Sequence, residues 1–520
     1  MPGAATHLLA RTRLPVSRLK ALLGTELHLE AEHTHTLTRT WYDTFDGRLN
    51  YHHGVLEADR HGHELQLNWR QVGSDAHLAV EGLDKIPRFA FGLPPGSFGD
   101  RLRAVAKMRA LLPLASARVR RHVLRLLDAR AKTVLRVLIE ELRLLDPDGQ
   151  PAERLGRWVR LQPVRGYAWA ARRAAAILKP ELEGGTEDPF VEVLRLLGIP
   201  PGGRNPSWRV SLRADTPSDI GVAAVLTRYL DIMEANQDGL IADLDSEFLH
   251  DFRVAVRRTR SILAQAGGVF PARDLGRYQN AFSWLGKLTG THRDLDVFLL
   301  GFDDAKGLLP GAQREQLEPL RDFLGNHQVQ AHRTLVRGLE SRRYQRFRDD
   351  WRAYLDQVPL RKGGPRDSDR PLIEIASQAI WKIYRRTCKQ GRVITTASPA
   401  GVLHDLRKTC KRLRYLMEAF QSIYPEGKMT AVIRELKHLQ DVLGEIADCN
   451  VQRALLATWE EELRGEALAP AGTIAAMGVL ADRIGERERT ARGHFDAAFQ
   501  EFMRTRNRNR FRRLFRDSSQ

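Results

Sequence analysis

The segment His250-Asp-Phe-Arg-Val-Ala-Val-Arg-Arg-Thr-Arg260 returns 154 residues later (404 minus 250) as His404-Asp-Leu-Arg-Lys-Thr-Cys-Lys-Arg-Leu-Arg414. The register then runs on without a gap: Pro271 falls on Pro425, Leu285 on Leu439, Gly290 on Gly444, Asp294 on Asp448 and Val297 on Val451. A fixed period of this length marks a duplicated supersecondary unit. The residues shared by the two copies are mostly cationic or hydrogen-bonding, so the duplication repeats a chemistry as well as a core.

Positions 250, 253, 257 and 260 step by three or four and share one face of a helix, as do 404, 407, 411 and 414. The first face carries His250, Arg253, Arg257 and Arg260, with Arg258 beside it. The second carries His404, Arg407, Lys411 and Arg414, with Lys408 and Arg412 beside it. Like charges at this spacing cost roughly a few tenths of a kcal/mol per pair. No acid intervenes on that face, so a bound polyanion is expected to offset the repulsion. Arginine suits phosphate oxygens through its rigid fork, lysine supplies a mobile point charge, and histidine donates when protonated. Further cations accompany the motif: Lys287 and Arg293 after the first copy, Lys437 after the second, with Arg333 falling on Arg487 and Arg228 on Lys382. Asp294 and Asp448 read as helix caps, with orientation of a neighbouring arginine as the alternative.

After Ser218 apolar residues recur at helical spacing and strand patterns vanish. Helices are expected from Ser218 and over 246–266, 274–289, 293–304, 312–339, 343–355, 371–389, 399–421, 427–445, 448–464 and 470–503. A Gly/Pro-rich stretch at 361–370 divides two repeats, about 218–360 and 371–505. Residues 1–85 read as β-rich, 86–100 as a loop, 101–112 as a helix and 116–165 as strands, followed by helices at 169–178 and 189–197. The Pro/Gly-rich 201–217 reads as a linker. The expected class is α+β: a β-rich domain over 1–200 and an all-α region over 218–515.

The formal charge of +18 over 520 residues points to an anionic partner: nucleic acid, a membrane surface or a phosphate polymer. No apolar run approaches the roughly 20 residues of a membrane span. The N-terminus lacks the apolar centre of a secretion signal. Cys388, Cys410 and Cys449 show no metal-binding spacing and fit a reducing cytosol. The basic stretch 504–516, interleaved with Phe511, Leu514 and Phe515, reads as a disordered tail or, if helical, as a surface for membrane, RNA or the polyanion.

The doubled pattern H-x-x-R-x-x-x-[RK]-R-x-R, followed by L-x-x-x-x-G-x-x-x-D in an all-α region, resembles the CHAD domain over roughly 218–515. The resemblance implies two pseudo-symmetric four-helix bundles around a basic channel. It also implies binding of inorganic polyphosphate and a cytoplasmic location on polyphosphate granules, with granule proteins as further partners. By motif position, His250, Arg253, Arg257 and Arg258 match the family's first cationic row, and His404, Arg407, Lys411 and Arg412 its second. Arg260, Lys287, Arg293, Arg333, Lys382, Lys408, Arg414 and Lys437 complete the expected polyphosphate site. No cofactor is implied.

In the N-terminal half, Trp41-Tyr-Asp-Thr44, Arg48-Leu49, Gly54-Val-Leu56 and Arg118-Val-Arg-Arg121 resemble the CYTH domain, a β-tunnel fold that includes triphosphatases and adenylate cyclases. CYTH enzymes open on an E-x-E-x-K strand whose acids hold a metal. Here that strand reads His7-Leu-Leu-Ala-Arg-Thr-Arg13, without an acid, and Leu56-Glu-Ala-Asp59 stands where the family has a basic strand. Metal-assisted phosphoryl chemistry needs clustered carboxylates and phosphate-holding cations. The expectation is therefore a degenerate scaffold with no catalytic residues and no metal. Glu30, Glu32, Glu57 and Glu81 read as exposed strand acids, and His33, His35, His52, His53, His61 and His63 as surface residues. Two alternatives are a triphosphate or polyphosphate hydrolase acting through this domain and an RNA-binding protein. The cationic rows lack the interleaved aromatics of single-strand readers, which makes nucleic acid the weaker reading.

Overall fold

The structure, a computed structural model, describes residues 8–24, 28–73, 77–182, 188–200, 208–361, 363–465 and 470–516. The chain forms two units, Met1–Pro206 and Ser207–Gln520. His7 and the 201–207 part of the expected linker lie outside the described residues.

The first unit is an antiparallel sheet of eight strands: β1 (Leu8–Thr12), β2 (Leu29–Asp43), β3 (Gly54–His61), β4 (Glu64–Gln71), β5 (His77–Val80), β6 (Leu112–Leu127), β7 (Thr133–Leu145) and β8 (Pro151–Pro163), in the order β1-β8-β7-β6-β2-β3-β4-β5. The helices are α1 (Val16–Gly24), α2 (Arg48–Tyr51), α3 (Ser97–Ala106), α4 (Ala168–Leu178) and α5 (Pro189–Leu196). Helix α1 interrupts the stretch expected to be β-rich, because Leu19 and Leu23 share a helical face that packs with Ala170, Ala171 and Ala174 of α4 against the sheet. The helix expected over 101–112 runs instead from Ser97 to Ala106, starting directly after Pro94-Pro95-Gly96, and Leu112 already belongs to β6.

The sheet is strongly curled. Strands β8 and β3 are four steps apart in it, about 19 Å at the usual spacing of roughly 4.8 Å, yet Arg160 on β8 reaches Glu57 on β3 at 4.0 Å. The concave side holds charged side chains at one level. At another, α5 packs Phe190, Val193 and Leu194 against Trp41 and Trp158.

The second unit is helical: α6 (Ser218–Ile241), α7 (Ser246–Leu263), α8 (Ala272–Leu288), α9 (Gly290–Leu300), α10 (Phe302–Gly307), α11 (Gly311–Arg314), α12 (Glu318–Glu340) and α13 (Arg342–Gln357), then α14 (Leu372–Gly391), α15 (Ala400–Ala419), α16 (Glu426–Gly465), α17 (Ala471–Gly493), α18 (Phe495–Phe502) and α19 (Thr505–Phe515). The offset read from the motif governs the first three helices of each repeat. Helices α6 and α14, α7 and α15, and α8 and α16 each begin 154 residues apart. Pro217 and Pro371, themselves 154 apart, are bridged to each other; Ser218 N donates to Arg370 O at 2.9 Å and Leu372 N to Thr216 O at 2.8 Å. A residue paired with its own repeat counterpart lies on the pseudo-twofold axis. Gly221 keeps this junction close, since a Cβ there would stand 2.6 Å from Leu372 Cδ2.

Several helix boundaries differ from expectation. The stretches 427–445 and 448–464 form one 40-residue helix, α16. The first repeat breaks at the matching place, where Thr289 Oγ1 donates to Leu285 O at 2.8 Å; its counterpart is Leu443, which has no such bond to offer. The helix expected over 312–339 is preceded by the short α11 and starts at Glu318, and the one expected over 470–503 divides at Gly493-His494. The basic tail is no disordered extension: α19 buries Phe511, Leu514 and Phe515, with Phe511 stacked on Tyr384 at 4.0 Å and Phe515 edge-on to Tyr424 at 5.2 Å. With its apolar face buried inside the fold, that helix has none left to insert into a membrane. Among the described residues no helix is long and apolar enough to cross one.

Candidate functional site

Helix α7 starts at Asp245, whose carboxylate accepts from Glu247 N at 2.9 Å and Phe248 N at 3.2 Å. It then buries Phe248, Leu249, Phe252, Ala255, Val256 and Thr259, which turns His250, Arg253 and Arg257 the other way. Helix α15 buries Leu403, Leu406, Thr409, Cys410 and Leu413 and turns out Arg407 and Lys411 by the same pattern. Their floor is apolar. Leu295, Phe298, Phe302 and Phe323 of the first repeat share one core with Cys449, Leu456, Trp459 and Leu480 of the second.

Between these helices lies a cavity of about 350 Å³ whose walls come from both repeats: His250, Arg253 and Arg257 on α7, Arg293 and Asp294 on α9, Arg407 and Lys411 on α15, and Asp448 and Gln452 on α16. The lining obeys the 154-residue register, pairing Arg253 with Arg407, Arg257 with Lys411, Asp294 with Asp448, and Val297 with Val451. A second cavity of about 560 Å³ shares Arg407, Lys411, Asp448 and Gln452 and adds Arg414 and Arg487. Five Arg or Lys side chains face two carboxylates in the first cavity.

The cations crowd one another. Burial first, then Arg407 and Arg257, pushes the Lys411 ammonium down to about 8. Burial and Arg257 lower Arg253, and burial lowers Arg293. Burial, with Lys408 and Arg407, lowers His404; burial, with Arg386 and Arg260, lowers Arg412. Burial raises the Asp294 carboxyl against the pull of Arg253. The first cavity thus holds more cations than carboxylates to balance them.

The arginines are held in different ways. Arg253 Nη1 donates to Thr289 Oγ1 at 2.8 Å and to Gly286 O at 3.3 Å, whereas Arg407 Nη2 donates to Asp448 Oδ1 at 2.9 Å. Arg293 Nη1 donates to Ser246 O at 3.1 Å and its Nη2 to His250 Nδ1 at 3.1 Å. Guanidinium has no acceptor, so Nδ1 accepts and the His250 proton sits on Nε2. The Arg257 Nε is buried without a hydrogen-bond partner. Asp294 and Asp448 cap no helix, since both lie inside one; the alternative reading, orientation of a neighbouring arginine, fits Asp448.

The other expected site residues line neither cavity. Arg258 Nη2 donates to Glu418 Oε2 at 2.7 Å, and its guanidinium lies 4.4 Å from the Trp208 ring centre. Lys408 pairs with Asp405 at 3.3 Å. Arg260, Lys287, Arg333, Lys382 and Lys437 are exposed on α7, α8, α12, α14 and α16, and His404 and Arg412 are half-buried on α15. Gln452, absent from the sequence-based set, lines both cavities; its counterpart is Phe298, so the register from Val297 and Val451 onward points to it.

In the first unit the acids read as exposed divide. Glu57, read as exposed, is buried on the concave side of the sheet beside Asp59. Arg39 bonds Asp59 at 2.7 Å and Glu140 at 3.0 Å, Arg121 bonds Glu140 and Asp59 at 2.7 Å each, and Arg70 bonds Glu57 at 3.2 Å and Asp188 at 2.8 Å. Burial alone would raise Glu140 and Asp188, but Arg39, Arg121 and Arg160 hold Glu140 well below the usual range, and Arg70 holds Asp188 low. Glu30, Glu32 and Glu81 do not converge with them: Glu30 pairs with Arg125 at 3.0 Å, Glu32 with Arg136 at 3.6 Å, and Glu81 accepts from Gln66 at 3.1 Å. Among the described residues no three His, Cys, Asp or Glu side chains are grouped so as to hold a metal ion.

Fold and site together define a two-repeat helical unit with a cation-lined cavity between its halves. Residues 224–457 match the family model of the CHAD domain, so the chain carries a CHAD domain within its helical unit. Among solved structures the chain is similar to the CHAD domain from the plant Ricinus communis, with 25% identity and a TM-score of 0.47 over 56% of this chain and 94% of that one. It is also similar to PptA from Streptomyces chartreusis, with 17% identity and a TM-score of 0.43 over 55% of this chain and 100% of that one. No curated protein matches the chain.

Proposed function

We propose that this protein binds inorganic polyphosphate without cleaving it, holding the polymer between its two helical repeats and associating with polyphosphate granules. His250, Arg253, Arg257 and Arg293 serve one side, Arg407 and Lys411 the other, and Arg414 and Arg487 extend the path. The observation that carries this reading is the convergence of cations from both repeats on one cavity, where burial and mutual repulsion weaken their hold on protons. A polyanion relieves that repulsion along its whole length, which a single small anion does not. Arg258, committed to Glu418, is assigned a structural role.

The non-enzymatic part rests on the first unit. A metal–triphosphate site needs open carboxylates and open cations, whereas Arg39, Arg70, Glu57 and Glu140 are each no more than 2% exposed and satisfy one another.

The test is charge reversal at Arg257 and Lys411 together, in the full chain. Loss of two charge-assisted contacts should weaken long-chain polyphosphate binding by roughly 100-fold or more, with an unchanged circular dichroism spectrum. Wild-type affinity in that variant would sink the placement. In cells, a tagged wild-type chain should gather on granules and stay diffuse where the polymer is not made.

A further inference from the structure

A second cationic cavity lies on the first unit, on the convex face of the sheet. It measures about 400 Å³ and is lined by Arg118, Arg120, Arg143 and Arg154 with Thr36 and Glu141. The four arginines are exposed. In the sheet register Arg118 stands directly opposite Arg143, and Arg143 directly opposite Arg154, a row of three like charges across β6, β7 and β8. Like charges directly opposite one another destabilise a sheet.

The row depends on an irregularity in the pairing. Leu142 pairs with Gly156, and regular pairing would then set Leu155 against Arg143; a bulge skips Leu155 and puts Arg154 there instead. Gly156 takes φ +138°, which side-chain-bearing residues rarely adopt. Leu155 thereby turns into the core beside Trp158 and Phe190. The one carboxylate present is already engaged, since Arg157 Nε donates to Glu141 Oε1 at 3.0 Å, while Arg154 stays 4.0 Å from it. Among the described residues Arg118, Arg120 and Arg143 have no carboxylate within ion-pair distance. No aromatic side chain lines the cavity, so it offers nothing on which a base could stack.

We infer that this arginine row is a second binding site for a bare phosphate chain. The inference rests on the polyphosphate reading of the helical unit and extends it to a chain held at two places, so that long polymers gain by multivalency. Its test uses four full-length proteins: wild type, R118Q/R143Q/R154Q, R257E/K411E and the combination. The probes are long-chain inorganic polyphosphate and single-stranded RNA at matched charge, titrated over a range of salt.

The glutamine triple variant should bind long polyphosphate roughly tenfold more weakly. Its salt slope should fall by about 2, at roughly 0.7 per phosphate contact. Residual binding by R257E/K411E should vanish in the combination. Wild-type affinity and slope in the triple variant overturn the inference and leave the helical cavity standing. The converse result, binding lost in the triple variant and unchanged in R257E/K411E, sinks the helical reading and upholds the arginine row. RNA binding more tightly than polyphosphate to R257E/K411E overturns the assignment to a phosphate chain. Relief of repulsion should leave the melting temperature equal or higher; if it falls, the single Arg143→Gln, at the centre of the row, decides by the same criteria.

Discussion

Arg258 reaches Glu418 across the boundary between the repeats, from α7 to α15, at 2.7 Å. The position equivalent to Glu418 in the first repeat is Ala264, and the counterpart of Arg258 is Arg412. One cation of an otherwise matched pair has thus become a strut, boxed in by Trp208, Tyr229 and Tyr415. Glu418→Ala leaves a largely buried guanidinium without its carboxylate and should destabilise the helical unit by about 1–3 kcal/mol. A denaturant midpoint measures that. Polyphosphate affinity should not fall, because neither residue lines the first cavity and losing Glu418 also frees Arg414 of the second from a carboxylate 3.5 Å away. A large loss of affinity with unchanged stability would make Arg258 a ligand instead of a strut.

On the proposed polyphosphate reading, Lys411 should make binding pH-dependent. Burial, Arg407 and Arg257 bring its ammonium from 10.5 down to about 8. Between those values the folded chain holds Lys411 neutral while the unfolded chain still binds the proton, so this residue's effect on stability improves as pH rises through the window. Binding runs the other way. A polyanion favours the charged form, so above pH 8 the complex takes up a proton and affinity falls as pH climbs. Calorimetry at pH 8 in buffers of different ionisation enthalpy should reveal that uptake. Lys411→Arg, which keeps its charge throughout, should bind with a nearly flat profile from pH 7 to 9.

Asp448 engages Arg407 on the cavity wall. Its carboxylate accepts from Arg407 Nη2 at 2.9 Å and is itself 65% exposed on the cavity wall. Asp448→Asn removes a negative charge from the proposed anion site. Polyphosphate affinity should rise by about threefold to tenfold at low salt, an effect of roughly 1 kcal/mol, and converge on wild type at high salt as screening takes over. A competition titration at two ionic strengths checks both halves.

The duplication was legible because helix starts obey the motif's own offset: Ser218 with Leu372, Ser246 with Ala400. Which cations meet was less so. Arg260 stays within about 20° of Arg253 around the helix but stands roughly 15 Å along its axis from His250, beyond the end of the first cavity. The same advance along α15 carries Arg414 to the second cavity. How α7 sits against α15 depends on packing that no single helix encodes. Alternation along β3 sets Glu57 and Asp59 on one face but does not say which way the sheet curls; the curl turns that face inward. The tail looked unpartnered because Tyr384 and Tyr424, which Phe511 and Phe515 meet, lie far away in the chain.

The charged interior of the first unit should make it resistant to mild acid and abruptly sensitive to strong acid. Four carboxylates, Glu57, Asp59, Glu140 and Asp188, meet four guanidiniums, Arg39, Arg70, Arg121 and Arg160. The Arg39, Arg121 and Arg160 guanidiniums outweigh burial and hold Glu140 well below its ordinary 4.5. A carboxyl depressed in the folded state contributes fully above the unfolded value and loses that contribution as pH falls through the depressed one. Amide protection in β2 and β7 should therefore persist as pH falls through the ordinary carboxylate range and be lost only below it. Glu140→Gln leaves Arg39 and Arg121 to share Asp59, with one more guanidinium than carboxylate in the interior, and should cost about 3–5 kcal/mol. If the interior is sealed, as its mutual pairing implies, Mg²⁺ and tripolyphosphate should neither restore that loss nor raise the wild-type exchange protection of these strands. Ligand-dependent protection there would mean that the network opens to solvent, and would revive hydrolysis as the function of this unit.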